Sequence, residues 1–274
     1  MKLTIVVVFY QQRIEQAKTF VSLTNALVPR DQDDIEIILY DNSKNKQDFN
    51  AAGYPGLGIT YTHDPRNLGI AAAYNYAWKK AQVNGSEWLL LFDHDTQVTK
   101  EYIEKMIKDH AVDEQVAAVV PKINSNNTMI SPVFSHSLRP LTLERPAIGL
   151  QTEPVMAINS GTLVRVSFIN ELGGFNEAFA LDYLDHWLFY EIYAKGKKVF
   201  LVDVTLEHEL SVMDYSTVSL NRYKSILDAE MKFYSAYKKD LLGAYRKQLF
   251  KRFVKQVLVV KNKKIALETI KQLF

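Results

Sequence analysis

Two aspartates stand directly after a strongly apolar run of the chain. Residues 88–92 (Trp-Leu-Leu-Leu-Phe) are followed by Asp93, His94 and Asp95. Side chains two positions apart in an extended segment point the same way, so Asp93 and Asp95 can converge while His94 points elsewhere. Two close carboxylates repel each other unless a cation lies near them, and hard oxygen ligands favour magnesium or manganese. The alternative is that both aspartates simply form a turn.

Asp41 also follows an apolar run, residues 35–40. If both runs are parallel strands, their carboxyl ends meet at one edge of the sheet, where open α/β sheets bind ligands. There the carboxylate of Asp41 can accept hydrogen bonds from a nucleobase or a ribose. The alternative is an Asx turn without a ligand.

A segment with many small residues begins at Arg66 and Asn67 and continues through Gly69 to Asn75. Small residues at the start of a helix allow another backbone or a ligand to approach closely, and the amino end of a helix attracts anions. Arg66 would add charge-assisted contacts to a diphosphate. The alternative is that the alanines here only favour a helix that packs on the sheet.

Further polar residues occur at 159–162 and at the start of a predicted helix, residues 182–185. Asp182 and Asp185 are three positions apart, which suits residues that cap a helix and interact with its dipole. Asp185, beside His186 and Trp187, also suits a sugar-binding site. A carboxylate can take a proton from a sugar hydroxyl while an indole face stacks on the sugar ring.

Alternating apolar runs and helical patterns must position these residues. Strands are predicted at residues 3–9, 35–40, 59–62, 88–92 and 116–121, and helices at 13–27, 68–83 and 100–110. This alternation predicts an α/β layer with a mostly parallel sheet. Asparagines and prolines between residues 122 and 152 predict a long irregular connection.

The remainder of the chain is predicted to be mainly helical. The pattern indicates regular structure at 155–158, helices at 166–172 and 182–195, and a strand at 198–202. From residue 217 onward it is helical, with breaks near Gly243 and Asn262.

Composition excludes several classes of protein. The 274 residues are 47% hydrophobic and 23% charged, which is typical of a globular protein. The chain contains no cysteine, which excludes disulfides, thiolate metal sites and cysteine nucleophiles. The apolar runs are far shorter than the roughly 18 residues of a membrane span, and no signal cleavage site follows the first one, so we expect a cytoplasmic protein.

The charge of the chain is unevenly distributed. Residues 246–274 have nine basic residues and one acidic residue, a net charge of +8, which leaves −6 for residues 1–245. Apolar residues interleave with the basic ones, a pattern that suits an amphipathic helix on an anionic membrane at the inner face of the cell. The alternatives are packing on the rest of the chain or a homodimer. No nucleic-acid motif accompanies the charge, so we expect no nucleic-acid partner.

In their order and spacing, these segments resemble the inverting glycosyltransferases of family 2, which have the GT-A fold. The resemblance extends from about residue 3 to residue 208. Residues 41–43 (Asp-Asn-Ser) look like the family's base-binding motif, and residues 67–75 are similar to its Asn-x-Gly-x-Ala-x-Ala-x-Asn element. Residues 93–95 correspond to its metal and diphosphate motif, whereas residues 9–11 match its Thr-Tyr-Asn ending only loosely. Within the family, the later motifs most resemble rhamnosyltransferase-like members of cell-surface polysaccharide pathways.

The resemblance implies a role for each candidate residue. Asp185 would be the catalytic base. A Mn²⁺ or Mg²⁺ ion would be bound by Asp93, Asp95 and His208. The nucleotide-sugar would be bound by Phe9, Tyr10, Gln11, Asp41, Arg66, Asn67, Gly69, Asn75, Asp93 and His94. The acceptor would be bound by Ser160, Gly161, Asp182, His186 and Trp187.

The sequence therefore predicts a GT-A (Rossmann-like) α/β domain at residues 1–215, with a mostly parallel central sheet and flanking helices. Its nucleotide-sugar half would be residues 1–121 and its acceptor half 122–215, and residues 216–274 would form a basic helical extension. The predicted reaction is metal-dependent, inverting transfer of a sugar, with rhamnose as a candidate, from a UDP- or dTDP-sugar to a saccharide or lipid-linked saccharide in cell-surface polysaccharide synthesis. The main alternative is a non-catalytic module that binds a sugar nucleotide or a glycan. A nucleotidyltransferase would need a glycine- and arginine-rich loop after the first strand, which residues 9–13 do not provide.

Overall fold

The computed structural model describes residues 2–27, 34–108, 113–138, 144–209, 218–260 and 262–273. The chain forms two compact units. The first comprises Met1–Phe134 and Glu144–Glu209, and the second comprises Ser135–Leu143 and Leu210–Phe274. The predicted domain boundary at residue 215 lies outside the described residues and stays a prediction.

The first unit alternates strands and helices, as expected. Its strands are β1 (Leu3–Phe9), β2 (Ile35–Asp41), β3 (Gly58–His63), β4 (Trp88–Asp93), β5 (Thr96–Gln97), β6 (Val116–Ser125), β7 (Thr128–Ser131), β8 (Val133–Phe134), β9 (Gly149–Leu150), β10 (Val155–Met156), β11 (Thr162–Arg165) and β12 (Lys198–His208). Its helices are α1 (Lys18–Ala26), α2 (Ile70–Asn84), α3 (Lys100–Lys108), α4 (Val166–Leu172) and α5 (Leu184–Ala194).

The central sheet has the order β3-β2-β1-β4-β11-β6-β12-β5, with β7 and β9 at its margins. Strands β3, β2, β1 and β4 pair in parallel, and so do β6 and β12. Only β11 separates the two parallel groups, and it runs antiparallel to both of its neighbours. The mostly parallel α/β sheet is thereby confirmed.

Apolar strands explain this arrangement. Every residue of β1 is buried, as expected for a strand covered on both faces. Helix α2 packs on β1, and its inner face has the small, fully buried residues Ala73, Ala77 and Ala81. Small side chains at these positions allow the helix axis to approach the sheet closely. The carboxyl ends of β1, β2 and β4 therefore meet along one edge.

The structure corrects two predictions of the sequence pattern. The strand predicted to end at residue 202 continues to His208, because alternate residues of β12 are buried as it pairs with β6 and then β5. The region predicted to be irregular contains the end of β6 and three short strands, β7, β8 and β9. Residues 139–143 of that region, and residues 109–110 of the predicted helix 100–110, lie outside the described residues.

The second unit is helical, as predicted, with α6 (Leu220–Ala236), α7 (Leu242–Val259) and α8 (Lys263–Lys271). Ser219 caps α6 by accepting a hydrogen bond from the amide of Arg222 at 3.3 Å. The predicted breaks fall at a short 3₁₀ turn, Lys239–Leu241, and at Asn262, which caps α8. Among the helices that the structure describes, none is both long and apolar enough to cross a bilayer.

Candidate active site

Three predicted metal-binding residues lie together at the carboxyl edge of the sheet. Asp93 ends β4, Asp95 precedes β5, and His208 ends β12. Pairing of His208 with Thr96 brings β12 to this edge. One ligand atom from each of Asp93, Asp95 and His208 lies within 4.8 Å of the others. The antiparallel end of β12 therefore joins residues that are more than 100 positions apart.

Hydroxyl groups hold this cluster in position. Thr96 Oγ1 lies 2.8 Å from Nδ1 of His208 and 2.7 Å from Oγ of Ser160. The Ser160 hydroxyl also accepts a hydrogen bond from the amide of Asp93 at 3.0 Å. Ser160 thus links the end of β4 to the start of β5, and acceptor binding by Ser160 stays a prediction.

The cluster has an excess of negative charge. Burial, followed by the charges of Asp95 and Asp185, raises the pKa of Asp93 to about 7. Burial also lowers the pKa of His208, which keeps its imidazole neutral at neutral pH, the form that binds metals. The Tyr74 hydroxyl is buried in the field of the same three aspartates and has no hydrogen-bond partner among the described residues.

These residues fit a divalent cation. Two carboxylates and one imidazole are a suitable donor set for manganese, and the carboxylates also suit magnesium. Oδ1 of Asp95 is buried 3.2 Å from Nδ1 of His208 and has no hydrogen bond of its own within the described ranges. A cation here would supply the missing partner and reduce the repulsion between the carboxylates.

Asp185 lies in the first turn of α5. It is close enough to the sheet edge for its charge to raise the pKa of Asp93. Its Oδ1 accepts a hydrogen bond from the amide of His186 at 2.8 Å. The preceding Tyr183 has a φ of 65°, a left-handed conformation that is uncommon for a bulky residue and often occurs at functional sites.

Helix α2 positions the loop that leads to Asp185. The amide of Ala71 donates to the carbonyl of Ala180 at 3.2 Å. A Cβ atom added at Gly69, whose φ is +91°, would lie only 2.2 Å from that oxygen. Asn75 pairs with the backbone of Phe175 in both directions, at 2.7 and 2.9 Å. Gly69 and Asn75, predicted to bind the nucleotide-sugar, therefore hold the loop of residues 173–183 in place.

A cavity of about 470 Å³ lies beside the carboxyl ends of β1 and β2. Its lining includes Gln11, Ser43 and Gln47. Asp41 lies behind this lining, fully buried, and accepts hydrogen bonds from the Ser43 amide at 2.9 Å, the Tyr61 hydroxyl at 2.9 Å and the Gln47 amide group at 3.1 Å. Asp41 thus shapes the cavity, and its direct contact with a nucleobase stays a prediction.

The model of the family described as Glycosyl transferase family 2 matches residues 4–173. The chain belongs to this family. It is therefore a glycosyltransferase. A search of curated proteins finds no match.

Solved structures share the fold of this family 2 glycosyltransferase at low sequence identity. TarS 1–349 from S. aureus in complex with UDP-GlcNAc has a TM-score of 0.62 and 16% identity, covering 99% of this chain and 79% of that one. The mannosyltransferase PcManGT from Pyrobaculum calidifontis, in complex with GDP-Man and Mn²⁺, has a TM-score of 0.55 and 14% identity, covering 99% and 85%. Against another S. aureus TarS structure (TM-score 0.54, 16% identity), the match covers 88% of this chain but only 45% of that one.

The other residues predicted to bind the nucleotide-sugar differ in their burial and contacts. Phe9 is fully buried in the core, and the centroid of its ring lies 6.5 Å from that of His94. Contact of Phe9 with the nucleotide stays a prediction. Tyr10 is 47% exposed beside the cavity residue Gln11. The guanidinium of Arg66 forms two hydrogen bonds of 2.7 Å with Asp64, which commits it to a carboxylate. The diphosphate contact of Arg66 stays a prediction.

Asn67 and His94 lie near the predicted site without a contact that assigns their role. Asn67 is exposed in a left-handed turn with a φ of 51°, and its amide lies 3.4 Å from the carbonyl of Asp64. His94 is partly buried and stands between Asp93 and Asp95 in the sequence. Binding of the nucleotide-sugar by either residue stays a prediction.

The predicted acceptor residues also differ in placement. Trp187 is only 5% exposed on α5, and acceptor binding by it stays a prediction. Gly161 is buried, and an added Cβ would contact Leu206, which indicates a packing role. Asp182 and His186 are partly buried, and the His186 ring stacks on Tyr183 at 4.2 Å.

Sequence reasoning missed Tyr74, Thr96 and Gln47. Thr96 directly follows the Asp-His-Asp motif, so its position was a signal that its polar side chain could support the aspartates. Tyr74 lies inside the small-residue segment before Asn75, where a large polar residue is out of pattern. Nothing in the sequence alone pairs Gln47 with Asp41, since that contact depends on how the loop after β2 folds.

Proposed function

We propose that this glycosyltransferase is metal-dependent and inverting, and that it transfers a sugar from a nucleoside-diphosphate sugar to a saccharide or lipid-linked saccharide. The main observation is that Asp93, Asp95 and His208 lie within ligand distance of one another. The charge of Asp185 acts on the same cluster. A cation site beside a carboxylate base is the arrangement that this chemistry needs.

Asp93, Asp95 and His208 would hold the cation, Mn²⁺ or Mg²⁺. When bound, it would supply positive charge that stabilises the leaving nucleoside diphosphate. Thr96 and Ser160 would keep the ligand atoms oriented through the hydrogen bonds described above.

Asp185 would act as the general base. Its carboxylate would take the proton from an acceptor hydroxyl as that oxygen forms a bond to the anomeric carbon of the donor. The bond between the anomeric carbon and the diphosphate oxygen breaks in the same step, and the electron pair leaves with the diphosphate. One displacement inverts the anomeric configuration. The role depends on the position of Asp185 relative to the acceptor hydroxyl and the anomeric carbon.

The cavity beside β1 and β2 would receive the nucleoside. Its volume of about 470 Å³ and its amide and hydroxyl groups suit a nucleobase and ribose. The resemblance noted from the sequence favours UDP or dTDP, with rhamnose as a candidate sugar in cell-surface polysaccharide synthesis. GDP belongs in the test, because the similar fold of PcManGT has GDP-Man bound.

The test is calorimetric titration of UDP, dTDP and GDP, each with and without Mn²⁺, followed by turnover measured with the nucleotide-sugar. We expect one nucleotide to bind in a metal-dependent way, and Asp95→Asn to abolish that dependence. Asp185→Asn should keep donor binding and lose turnover by at least about 100-fold, as for loss of a general base. Glu191→Gln, an acidic residue further along α5, is the matched control and should behave like wild type.

Two outcomes would contradict the proposal. Equal binding of the nucleotide with and without Mn²⁺ would remove the metal from the reaction. Binding by wild type and Asp185→Asn alike, with no transfer to any saccharide or lipid-linked acceptor, would favour the non-catalytic binding module.

A further inference from the structure

Helix α7 has two faces of different character. Tyr245, Leu249 and Gln256 point into the helical unit, with exposed fractions of 5% or less. At 100° per residue, a second set of positions lies on the opposite side of the helix. That set is Phe250, Val254, Val257 and Leu258, which are 53%, 43%, 42% and 77% exposed. We call these four residues the outer face of α7.

A set of lysines borders the outer face. Helix α7 contains five basic residues and no acidic residue. Lys247, Lys251 and Lys255 are exposed and follow one another at four-residue spacing along one side of the outer face. The long apolar stems of lysine can lie along an apolar surface while their ammonium groups reach a charged one.

Buried hydrogen bonds hold the side of α7 that faces the helical unit, so α7 is an ordered helix of that unit. Glu230 of α6 is 3% exposed and accepts hydrogen bonds from the Tyr245 hydroxyl at 2.8 Å and from the Arg252 guanidinium at 2.8 and 3.1 Å. Gln256 donates to the Tyr223 hydroxyl at 2.7 Å. These buried contacts orient α7 so that the outer-face residues are exposed.

We infer that the outer face of α7 is a docking surface for an anionic lipid membrane. Exposed aromatic and aliphatic side chains would enter the boundary between headgroups and acyl chains, and the bordering lysines would contact the lipid phosphates. A second copy of the chain fits this surface poorly, because a symmetric pair of α7 helices would place lysines against lysines without a compensating acid. Lipid binding at this surface does not depend on the reaction proposed above.

The test is co-sedimentation of the full chain with vesicles made of equal parts phosphatidylglycerol and phosphatidylcholine, compared with vesicles of phosphatidylcholine alone. We expect binding to the anionic vesicles only, and weaker binding at high salt. Lys247→Gln/Lys251→Gln/Lys255→Gln should lower the affinity on the order of 100-fold. Phe250→Ser/Leu258→Ser should also lower it, whereas Val83→Ser, which changes an 84% exposed residue on α2, should not.

Thermal unfolding and light scattering accompany this experiment. The substituted residues are exposed, so we expect the unfolding temperatures of all variants to stay near that of wild type. Equal binding to anionic and neutral vesicles, or unchanged binding by Phe250→Ser/Leu258→Ser, would overturn the inference. A dimer that dissociates in Phe250→Ser/Leu258→Ser would also overturn it, because the occupant would then be a second copy of the chain.

Discussion

Substitution of Gly69 tests the claim that α2 positions the loop before Asp185. In Gly69→Ala the new Cβ would lie 2.2 Å from the Ala180 carbonyl oxygen, so this gap must open by roughly 1 Å to reach an acceptable contact. The φ of +91° adds strain of about 1–3 kcal/mol, since only glycine adopts this region freely. With the clash, we expect the free energy of unfolding to fall by about 3–5 kcal/mol.

The effect on turnover should be larger than the effect on folding alone. Ala180 lies five residues before Asp185, and a displacement of about 1 Å at a reacting group can cost about 100-fold in rate. We therefore expect Gly69→Ala to lose transfer activity under conditions where chemical denaturation shows it folded. The assays are denaturant unfolding and steady-state transfer from the nucleotide-sugar.

Gly85 provides the matched control for this substitution. It ends α2 with a φ of +69°, but an added Cβ there would contact nothing within 4 Å. Gly85→Ala should therefore cost only the strain of the left-handed conformation, about 1–2 kcal/mol, and keep full activity. If the two variants unfold at the same denaturant concentration and turn over equally, the close approach of Gly69 to Ala180 has no role and the reasoning is wrong.

Two further predictions concern carboxylates that should affect stability in opposite directions. In protein stripped of metal with a chelator, Asp93→Asn should raise the free energy of unfolding by about 2–4 kcal/mol at pH 8. The reason is that the pKa of Asp93 is about 7 in the folded chain and about 3.9 in an unfolded one, so the wild type loses stability as the pH rises between these two values. A smaller unfolding free energy for the variant would contradict this. Asp64→Asn should lower the free energy by about 1–3 kcal/mol at pH 7, because Arg66 and the Tyr40 hydroxyl hold the pKa of Asp64 well below its usual range. The difference should shrink in denaturation curves below about pH 4, where the unfolded carboxylate is protonated, and a difference that is constant with pH would refute it.

Local pattern was sufficient to predict most of the sheet. The apolar runs of β1, β2 and β4 are recognisable in the sequence as buried strands. Because the carboxyl ends of parallel strands meet at one edge of a sheet, the location of the acidic residues after β2 and β4 can also be predicted. Strand β11 was not predicted, because four residues contain too little periodicity and its place between β4 and β6 is a long-range pairing. The length of β12 was underestimated for a related reason: its second part alternates polar and apolar residues and resembles a loop until β5 and β6 pair with it.

The candidate site shows the same division between local and long-range information. A short motif is enough to identify the two aspartates of the cluster. The ligand roles predicted for Ser160 and Asn75 stay predictions, and the structure adds the hydrogen bonds that both residues form within the protein. A polar residue beside a site can bind a ligand or orient one that does, and the sequence does not distinguish these cases. Only the partner atom, here the Asp93 amide or the Phe175 backbone, separates them.

The negative charges of Asp95 and Asp185 both act on the carboxylate of Asp93. Burial of Asp93, followed by repulsion from Asp95 and Asp185, raises the pKa of Asp93, so the ionised cluster disfavours the folded chain in the absence of a cation. The surrounding structure must therefore hold the three aspartates against this repulsion. Three contacts contribute to this: the approach of Gly69 to Ala180, the hydrogen bonds between Asn75 and Phe175, and the pairing of the end of β12 with β5. Variants of these contacts should therefore weaken the site.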